Sequence, residues 1–247
     1  MHRFHVQKTL EAAGERATLS PEESRHAARV LRMRPGEEVV LLDGQSLWRA
    51  RLEDVNEAAC AALALERLPS PEPPARVTLL QGLPKADKLD WIVQKATELG
   101  AWAVQPVEMA RSVARAGKEK KQDRLSRIAL EAAKQSGRAH VPPVAPAQSF
   151  AQALAALQHD RPDLLLVAWE QEHALPMSRA VRRHIERGGS VDRVALLIGP
   201  EGGVAPEEAQ ALQSLGAVCV TLGPRILRTE TAGLCALSVL WAALEEM

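Results

Sequence analysis

The chain has 247 residues, of which 46% are hydrophobic and 25% charged, and its formal net charge at pH 7 is zero. This composition is typical of a globular protein, and the length allows one large domain or two smaller ones. No apolar run approaches the roughly 20 residues that a membrane helix needs, so we expect no membrane span. The start, MHRFHVQKTL, lacks the apolar core of a signal peptide, which predicts a cytoplasmic protein.

Residues 1–69 are expected to form a small, mainly β domain. In SPEESRHAARVLR, Ser20 and Pro21 suit the N-cap and the first position of a short helix. EEVVLLDG predicts a strand that ends in an Asp-Gly turn, and alternation in LWRARLEDV and CAALALERL predicts two further strands. Four prolines in LPSPEPPAR then interrupt helix and strand patterns alike, which indicates a linker before a second domain at residues 75–247.

The second domain alternates apolar strands with amphipathic helices. In chain order, the predicted strands are RVTLLQG, AWAVQPV, DLLLVAW, RVALLIG and AVCVTLG. The predicted helices lie in DKLDWIVQKATELG, KQDRLSRIALEAAKQSG, SFAQALAALQ, PMSRAVRRHIERG, PEEAQALQSLG and TAGLCALSVLWAALEEM. Apolar strands interleaved with such helices are typical of a mostly parallel sheet covered on both faces. The predicted fold class is therefore α/β with an appended β domain.

Two loops near the end of the chain contain both glycine and proline: LLIGPEGG, residues 196–203, and LGPRILRTETAG, residues 222–233. Ligands of open α/β sheets bind beyond the carboxyl ends of the strands, and glycine lets the backbone approach a ligand closely. The alternative is that these are ordinary turn glycines. IGPEGG does not match the dinucleotide-binding pattern, GLPKADK does not match the P-loop, and the serine-nucleophile pattern is missing, so we expect a pocket of another kind.

Two segments of this neutral chain are strongly basic. Between Ser24 and Arg34 there are four arginines and no acid. A second segment has nine cations against three acids, namely Arg111, Arg115, Lys118, Lys120, Lys121, Arg124, Arg127, Lys134 and Arg138. Binding to phosphate depends on the local field, so both segments are candidate RNA contacts. The alternative is a solvated helix face.

Several long motifs, occurring in one order, resemble a known family. LLIGPEGG and LGPRILRTETA, together with KADKLDWIVQKATELG, RSV and EAAKQSGR, are similar to the RsmE family of methyltransferases. That family acts on uridine N3 of 16S ribosomal RNA and belongs to the knotted SPOUT superfamily. HAARVLRMRPGEEVVLLDG resembles its N-terminal PUA-like RNA-binding domain. The resemblance covers nearly the whole chain and implies a PUA-like β-barrel at residues 1–69 and a SPOUT trefoil-knot α/β domain at residues 75–247.

The resemblance also implies S-adenosylmethionine as cofactor, bound in a bent form among three loops of the knot, and a homodimer. These loops would be VAWE, LIGPEGG and LGPRIL. The implied cofactor-binding residues are Val167, Ala168, Trp169, Glu170, Leu197, Ile198, Gly199, Pro200, Glu201, Gly202, Leu222, Gly223, Ile226, Leu227, Thr231 and Ala232. For Trp169, burial in the core is the alternative to contact with the ligand.

Uracil N3 carries a proton, so the enzyme must help to remove it or stabilise the anion that remains. Glu201 and Glu230 are candidate bases, although Glu201 could instead hold its loop together by accepting backbone amides. Arg225 and Arg228 are candidates for stabilising negative charge on the uracil carbonyls, with phosphate binding or a dimer salt bridge as alternatives. The histidines lack metal-ligand spacing, so no metal is expected.

The target uridine must be unpaired or flipped, because a duplex hides its N3 edge. We expect phosphate contacts, which position RNA without reading its sequence, from Arg25, Arg29, Arg32, Arg34, Arg111, Lys134 and Arg138. The predicted partners are 16S rRNA or the 30S subunit and a second copy of the chain. Two other functions stay open: a knotted methyltransferase acting on tRNA ribose 2′-hydroxyls, and a non-catalytic RNA-binding protein.

Overall fold

The structure is a computed structural model that describes residues 1–113 and 119–247. The chain divides into two compact units, Met1–Glu72 with Leu130–Val141, and Pro73–Ala129 with Pro142–Met247. The division after Glu72 falls inside the predicted linker. Residues 130–141, which the sequence analysis assigned to the second domain, belong to the first unit instead.

The first unit contains a five-stranded sheet in the order β1-β3-β4-β5-β2 among its described residues. The strands are β1 (Arg3–His5), β2 (Arg16–Thr18), β3 (Glu38–Leu42), β4 (Leu47–Asp54) and β5 (Ala61–Leu68). The pairs are antiparallel except β1 with β3, which is parallel. The three predicted strands are confirmed as β3, β4 and β5. Three-residue strands are too short to show alternation, so β1 and β2 were not predicted, and they form two edges of the sheet.

The predicted helix of the first unit begins as expected. Helix α1 (Pro21–Arg25) has Ser20 as its N-cap, and the Ser20 hydroxyl accepts a hydrogen bond from the Glu23 amide at 3.2 Å. The helix does not continue as one α-helix, because His26–Val30 is wound as a π-helix. The four arginines of the first basic segment therefore lie on α1, on the π-helical turn and on the residues that follow it.

The predicted Asp-Gly turn between β3 and β4 is confirmed, and its aspartate is buried. The Asp43 carboxylate accepts hydrogen bonds from the Leu10, Gln45 and Ser46 amides and from the Trp48 indole, at 2.6–3.1 Å. A buried carboxylate is tolerated when several donors compensate its charge. Asp43 therefore ties the N-terminal segment to the β3–β4 turn.

The second unit contains a six-stranded parallel sheet in the order β11-β9-β10-β6-β7-β8 among its described residues. The strands are β6 (Arg76–Gly82), β7 (Ala103–Glu108), β8 (Gln148–Ser149), β9 (Leu164–Ala168), β10 (Arg193–Ile198) and β11 (Val218–Val220). All five predicted strands are present, and the two-residue β8 was not predicted. Because β11, β9 and β10 are neighbours and parallel, the three loops that follow them leave the sheet at the same edge.

Among the described residues, six helices follow the strands of this sheet, and each overlaps a predicted segment: α2 (Lys88–Glu98), α3 (Glu119–Ser136), whose last residues belong to the first unit, α4 (Phe150–His159), α5 (Met177–Glu186), α6 (Pro206–Ser214) and α7 (Thr229–Ala243). Leu157 of α4 and Leu212 of α6 share a buried core with Val167 and Leu197 of the sheet. Helix α7 packs against α2, α5 and β10. Within the described ranges, no helix combines the length and apolarity needed to cross a membrane.

Candidate active site

A cavity of about 450 Å³ lies in the second unit, where β9, β10 and β11 end. Its walls are the three following loops, with lining residues at 168–170, 173, 198–203 and 220–228, together with the first turns of α2 and α7. A cavity of this volume is typical of small-molecule sites. The structure therefore brings together the three loops that the sequence analysis assigned to one ligand.

Most of the predicted cofactor residues line the cavity: Ala168, Trp169, Glu170, Ile198, Gly199, Pro200, Glu201, Gly202, Leu222, Gly223, Ile226, Leu227 and Ala232. Val167 and Leu197 do not line it, which corrects their assignment. They are register partners on β9 and β10, and both side chains are fully buried in the core. Thr231 is exposed on α7 and also lies outside the lining.

Glycine is required in the loop after β10 because the backbone there is tightly packed. Gly203 has φ of +76°, and a Cβ on it would overlap the Glu170 carboxylate. A Cβ on Gly199 would lie 2.9 Å from the carbonyl carbon of Gly203 and 3.0 Å from the amide nitrogen of Val204. The loop is therefore folded back on itself, which a side chain at either position would disturb.

Side chains also fasten the loop after β9 to the loop after β10. The Glu170 carboxylate accepts from the Val204 amide at 3.2 Å, and the Trp169 indole donates to the Val204 carbonyl at 3.2 Å. Arg111 donates to the Gly202 carbonyl at 3.1 Å and lies 3.4 Å from Glu170. Trp169 packs against the core and also lines the cavity, and its contact with the ligand stays a prediction.

A buried pair of polar side chains anchors the start of α7. The Thr229 hydroxyl donates to the Gly199 carbonyl at 2.7 Å and accepts from Gln81 Nε2 at 2.9 Å. Gln81 is fully buried at the end of β6, and its Nε2 also donates to the Gly82 carbonyl at 3.0 Å. Neither residue was predicted to belong to the site. The available signal was a glutamine at the end of the otherwise apolar strand RVTLLQG.

Lys88 is the main charged residue that the sequence analysis missed. Its ammonium lies 3.0 Å from Glu201 and 3.1 Å from Glu230. These contacts join the first turn of α2, the loop after β10 and the first turn of α7. The hydrogen bond to Glu201, followed by the contact with Glu230, raises the pKa of Lys88. Lys88 therefore stays an ammonium ion at neutral pH.

The surroundings of Glu201 and Glu230 disfavour a role as general base. Partial burial alone would raise the pKa of each carboxyl, but its own backbone amide and Lys88 outweigh that effect and lower both pKa values. An efficient base at neutral pH has a pKa near that pH. The Glu201 carboxylate accepts from the Lys85 amide at 3.1 Å, a backbone donor in the segment before α2, and both roles considered for Glu201 stay predictions.

The two candidate catalytic arginines are placed differently from the glutamates. Arg225 and Arg228 line the cavity and are exposed on the loop after β11. Ile226 between them is 79% exposed, a high value for a large apolar residue. The arrangement leaves both guanidinium groups accessible to a substrate that approaches the cavity, and their catalytic role stays a prediction.

The cations of the two basic segments differ in exposure and in ion pairing. Arg25, Arg29, Arg32 and Arg34 are all exposed and remain candidate RNA contacts. In contrast, Arg138 is only 4% exposed and forms an ion pair with Glu72 at 2.6 Å.

Lys134, whose side chain is 13% exposed, forms an ion pair with Glu23 at 3.0 Å. The prediction that Lys134 and Arg138 contact RNA phosphate is therefore corrected, because the carboxylates of Glu23, which is buried, and Glu72, which is partly buried, already compensate these charges.

The structure describes only some of the other cations in the second basic segment. Arg115 and Lys118 lie outside the described residues. Arg124 forms ion pairs with Asp90 and Asp87, and Arg127 has an interaction partner as well. Arg111 supports the wall of the cavity, and its predicted contact with RNA stays a prediction. The count of cations in this segment therefore overstated the number that are available to a nucleic acid.

Comparisons with known proteins give a consistent result. Residues 71–241 match the model of an RNA methyltransferase domain, and residues 19–62 match that of an RNA methyltransferase PUA domain. A ribosomal RNA small subunit methyltransferase E from Bacillus subtilis is 37% identical over 250 residues, covering 97% of this chain and 96% of the relative. These matches span both units.

Solved structures agree with these matches. A ribosomal RNA small subunit methyltransferase E from Neisseria gonorrhoeae, bound to S-adenosyl methionine, superposes with a TM-score of 0.84 at 34% identity, covering 98% of this chain and 97% of that one. A putative methyltransferase from Legionella pneumophila, in complex with bound cofactor SAM, has a TM-score of 0.80 at 31% identity, with coverage of 98% and 97%. The predicted fold class, an α/β methyltransferase domain preceded by a β-rich PUA-like domain, is confirmed.

Proposed function

Because the chain belongs to the RNA methyltransferase family that includes the ribosomal RNA small subunit methyltransferase E proteins, we propose that it methylates N3 of a uridine in 16S rRNA. The methyl donor is S-adenosylmethionine. The observation that carries the proposal is the cavity enclosed by the loops after β9, β10 and β11, with two arginines exposed at its edge.

The residues around the cavity fit this cofactor. The volume of about 450 Å³ lies within the range of cofactor-sized sites. Backbone groups of Ile198, Gly199, Leu222, Gly223 and Leu227 would hold the adenine and ribose, with apolar side chains beside them. When bound, S-adenosylmethionine supplies an electrophilic methyl group on a positively charged sulfur. The loop after β10 is folded in advance, so little ordering of that wall is needed on binding.

The residues of the chain contribute position and charge to the reaction. Methyl transfer is an in-line displacement, so holding the uracil ring in register with the donor supplies much of the rate enhancement. Arg225 and Arg228 stabilise negative charge on the uracil carbonyls, which makes the N3 proton easier to lose to water. Lys88 helps to keep Glu201 and Glu230 ionised beside the cavity.

The first unit supplies phosphate contacts for the RNA. Arg25, Arg29, Arg32 and Arg34 are exposed, so their guanidinium groups can reach a phosphate. Such contacts position RNA without reading its sequence. The substrate is the rRNA of the small ribosomal subunit in the cytoplasm, with the target uridine presented as an unpaired base.

The direct test is methyl transfer from labelled S-adenosylmethionine to 30S subunits and to naked 16S rRNA, both from cells that lack this gene. We expect label at a single uridine N3, located by mass spectrometry of nuclease digests. Label in tRNA ribose, or in no RNA, would refute this substrate. Absence of cofactor binding at millimolar concentration in calorimetry would favour a non-catalytic RNA-binding protein.

We further propose that the active form is a homodimer. Ile226 is 79% exposed beside the cavity, and a second copy of the chain would cover it. Sedimentation equilibrium of the wild type should give twice the mass of the chain, and Ile226→Asp should shift the equilibrium towards the monomer. Ile185→Asp on α5, at a residue that is 41% exposed, is the matched control. A monomeric wild type would refute the dimer.

A further inference from the structure

Lys88, Glu201 and Glu230 form a cluster of three charges on three separate elements. Glu201 lies in the loop after β10, and Lys88 and Glu230 lie in the first turns of α2 and α7. The Lys88 ammonium is 3.0 Å from Glu201 and 3.1 Å from Glu230. Two carboxylates around one ammonium leave the cluster with a net charge of −1 when all three groups are ionised. The cluster is therefore more than a neutral ion pair that fastens the elements together.

The charge of the cluster contributes to the electrostatic potential in the cavity. Lys88 and Glu201 both line it, and Oε2 of Glu230 is buried. That oxygen lies 3.1 Å from the Lys88 ammonium, and the backbone amide of Glu230 and the Arg228 guanidinium also stabilise the charge of this carboxylate. Charges in partly buried surroundings are screened less than those in water. The excess negative charge thus remains effective at the cavity wall.

The other charges at the cavity do not cancel this effect. Glu170 on the opposite wall lies 3.4 Å from Arg111 and accepts from the Val204 amide, so that pair has no net charge. Arg228 acts on Glu230, but both Arg225 and Arg228 are exposed on the loop after β11, so water and salt screen them more than the buried Oε2 of Glu230. The cluster around Lys88 therefore remains a net negative charge at this part of the cavity wall.

Methyl transfer changes the charge of the cofactor at one atom. The bond between sulfur and the methyl carbon breaks with its electron pair left on sulfur, the methyl carbon bonds to N3, and the N3 proton goes to water. A sulfonium cation becomes a neutral thioether, while the remainder of the cofactor is unchanged. Fixed negative charge at the cavity wall attracts the sulfonium of the methyl donor but not the neutral thioether of the product. It therefore favours binding of the donor over binding of the product.

We propose that the Glu201–Lys88–Glu230 cluster determines the preference of the cavity for the cationic methyl donor over its neutral product, S-adenosylhomocysteine. This inference rests on the proposed function. It assigns to Glu201 and Glu230 an electrostatic role in place of the base role considered from the sequence. It also explains why a lysine that lines the cavity is bound by two carboxylates instead of one.

The test compares the two ligands by calorimetry on the full-length protein. The measured quantity is the dissociation constant for S-adenosylhomocysteine divided by that for S-adenosylmethionine. A substitution that weakens binding of both ligands equally leaves this ratio unchanged. Glu201→Gln and Glu230→Gln should each lower this ratio about threefold to tenfold. Lys88→Met, which leaves two carboxylates unneutralised, should raise it, and Lys88→Arg should retain the wild-type ratio.

The matched control is Glu207→Gln, which removes one negative charge from the first turn of α6, outside the cavity lining. Its ratio should equal that of the wild type. If Lys88→Met does not fold, the two glutamine variants and the control decide the question. Equal ratios of the two dissociation constants in all variants would overturn this inference but would leave the proposed function standing. Failure of the wild type to bind either ligand would overturn the proposed function and this inference together.

Discussion

The loop after β10 and the loop after β11 have the same kind of sequence, an apolar strand followed by glycine and proline, but the structure holds them differently. The first is packed against its own backbone and fastened by Glu170, Arg111 and Thr229. The second is exposed at residues 223–226 and at 228. No neighbouring atom lies within 4 Å of a Cβ built on Gly223.

This difference shows that one cavity can combine a preformed wall with an open one. The packed loop gives the cofactor a fixed surface, so binding requires little additional ordering. The open loop carries both arginines, which must reach a bulky RNA substrate from outside. Substitutions should accordingly affect folding and cofactor binding in the first loop, and turnover in the second.

The largest effect is expected for Gly203→Ala in the packed loop. A side chain at φ of +76° is strained, and its Cβ would push the Glu170 carboxylate away from the Val204 amide and Arg111. Strain of about 1–2 kcal/mol and the loss of a charged hydrogen bond should together lower the free energy of unfolding by about 3 kcal/mol. Cofactor affinity should fall at least about tenfold, measured by calorimetry.

Gly216→Ala is the control for Gly203→Ala. Gly216 also has a positive φ, +92°, but no atom lies within 4 Å of its Cβ position. This variant should lose about 1–2 kcal/mol by strain alone and keep its cofactor affinity. Equal losses in the two variants would show that the packed loop does not depend on the space at Gly203.

The next effect is expected for Arg228→Ala in the open loop. Because its guanidinium is exposed at the cavity and is expected to stabilise charge on uracil, kcat should fall about 100-fold while cofactor affinity changes little. The measurement is methyl transfer to 30S subunits together with calorimetry. Arg228→Lys, which keeps the charge but loses the planar fork, should recover part of the activity. A comparable loss of cofactor affinity would contradict the division of labour between the loops.

A smaller effect is expected for Thr229→Val, which removes the hydroxyl between the Gly199 carbonyl and Gln81 with little change in shape. Two buried polar groups lose a partner, so chemical denaturation should show a loss of about 2 kcal/mol. The exposed Thr231 lies on the same helical turn, and Thr231→Val should change stability by less than about 0.5 kcal/mol. If the two valine variants are equally stable, the buried pair does not anchor the packed loop.

The smallest effect is expected for Gly223→Ala. The φ of +118° strains any side chain, but nothing crowds the Cβ position, so a loss of about 1 kcal/mol should appear in thermal unfolding. Gly188→Ala, with φ of +78° and equally free space, is the control for strain outside the site. A destabilisation as large as that of Gly203→Ala would contradict the open nature of this loop.

Much of the fold was predictable from local patterns. The strands and helices of the second unit appear where apolar periodicity placed them, because burial of a continuous face depends on spacing within one segment. The three loops that the family motifs assigned to the cofactor line one cavity in the structure, and their contact with the cofactor stays a prediction. Val167 and Leu197 show the limit of this reasoning, because in both strands the final residues alternate between the cavity edge and the core.

The charged residues were the least predictable. The sequence pattern predicted that Lys134 and Arg138 contact RNA. Their ion-pair partners in the structure, Glu23 and Glu72, are more than sixty residues away along the chain. Lys88 was overlooked for the same reason, as Glu201 and Glu230 are brought to it only when α2, β10 and α7 are assembled. An ion pair depends on a few ångströms of separation, which no local pattern encodes.

The sequence by itself determined the class of the protein, the order of its elements and the three loops that surround the cavity, because these depend on local periodicity, turn residues and motifs along the chain. The tertiary structure alone decided which loop is packed and which is open, which cations are neutralised, and that Lys88 joins two glutamates at the cavity. The reason is physical: packing and electrostatic energies depend on distances between segments that are remote in sequence.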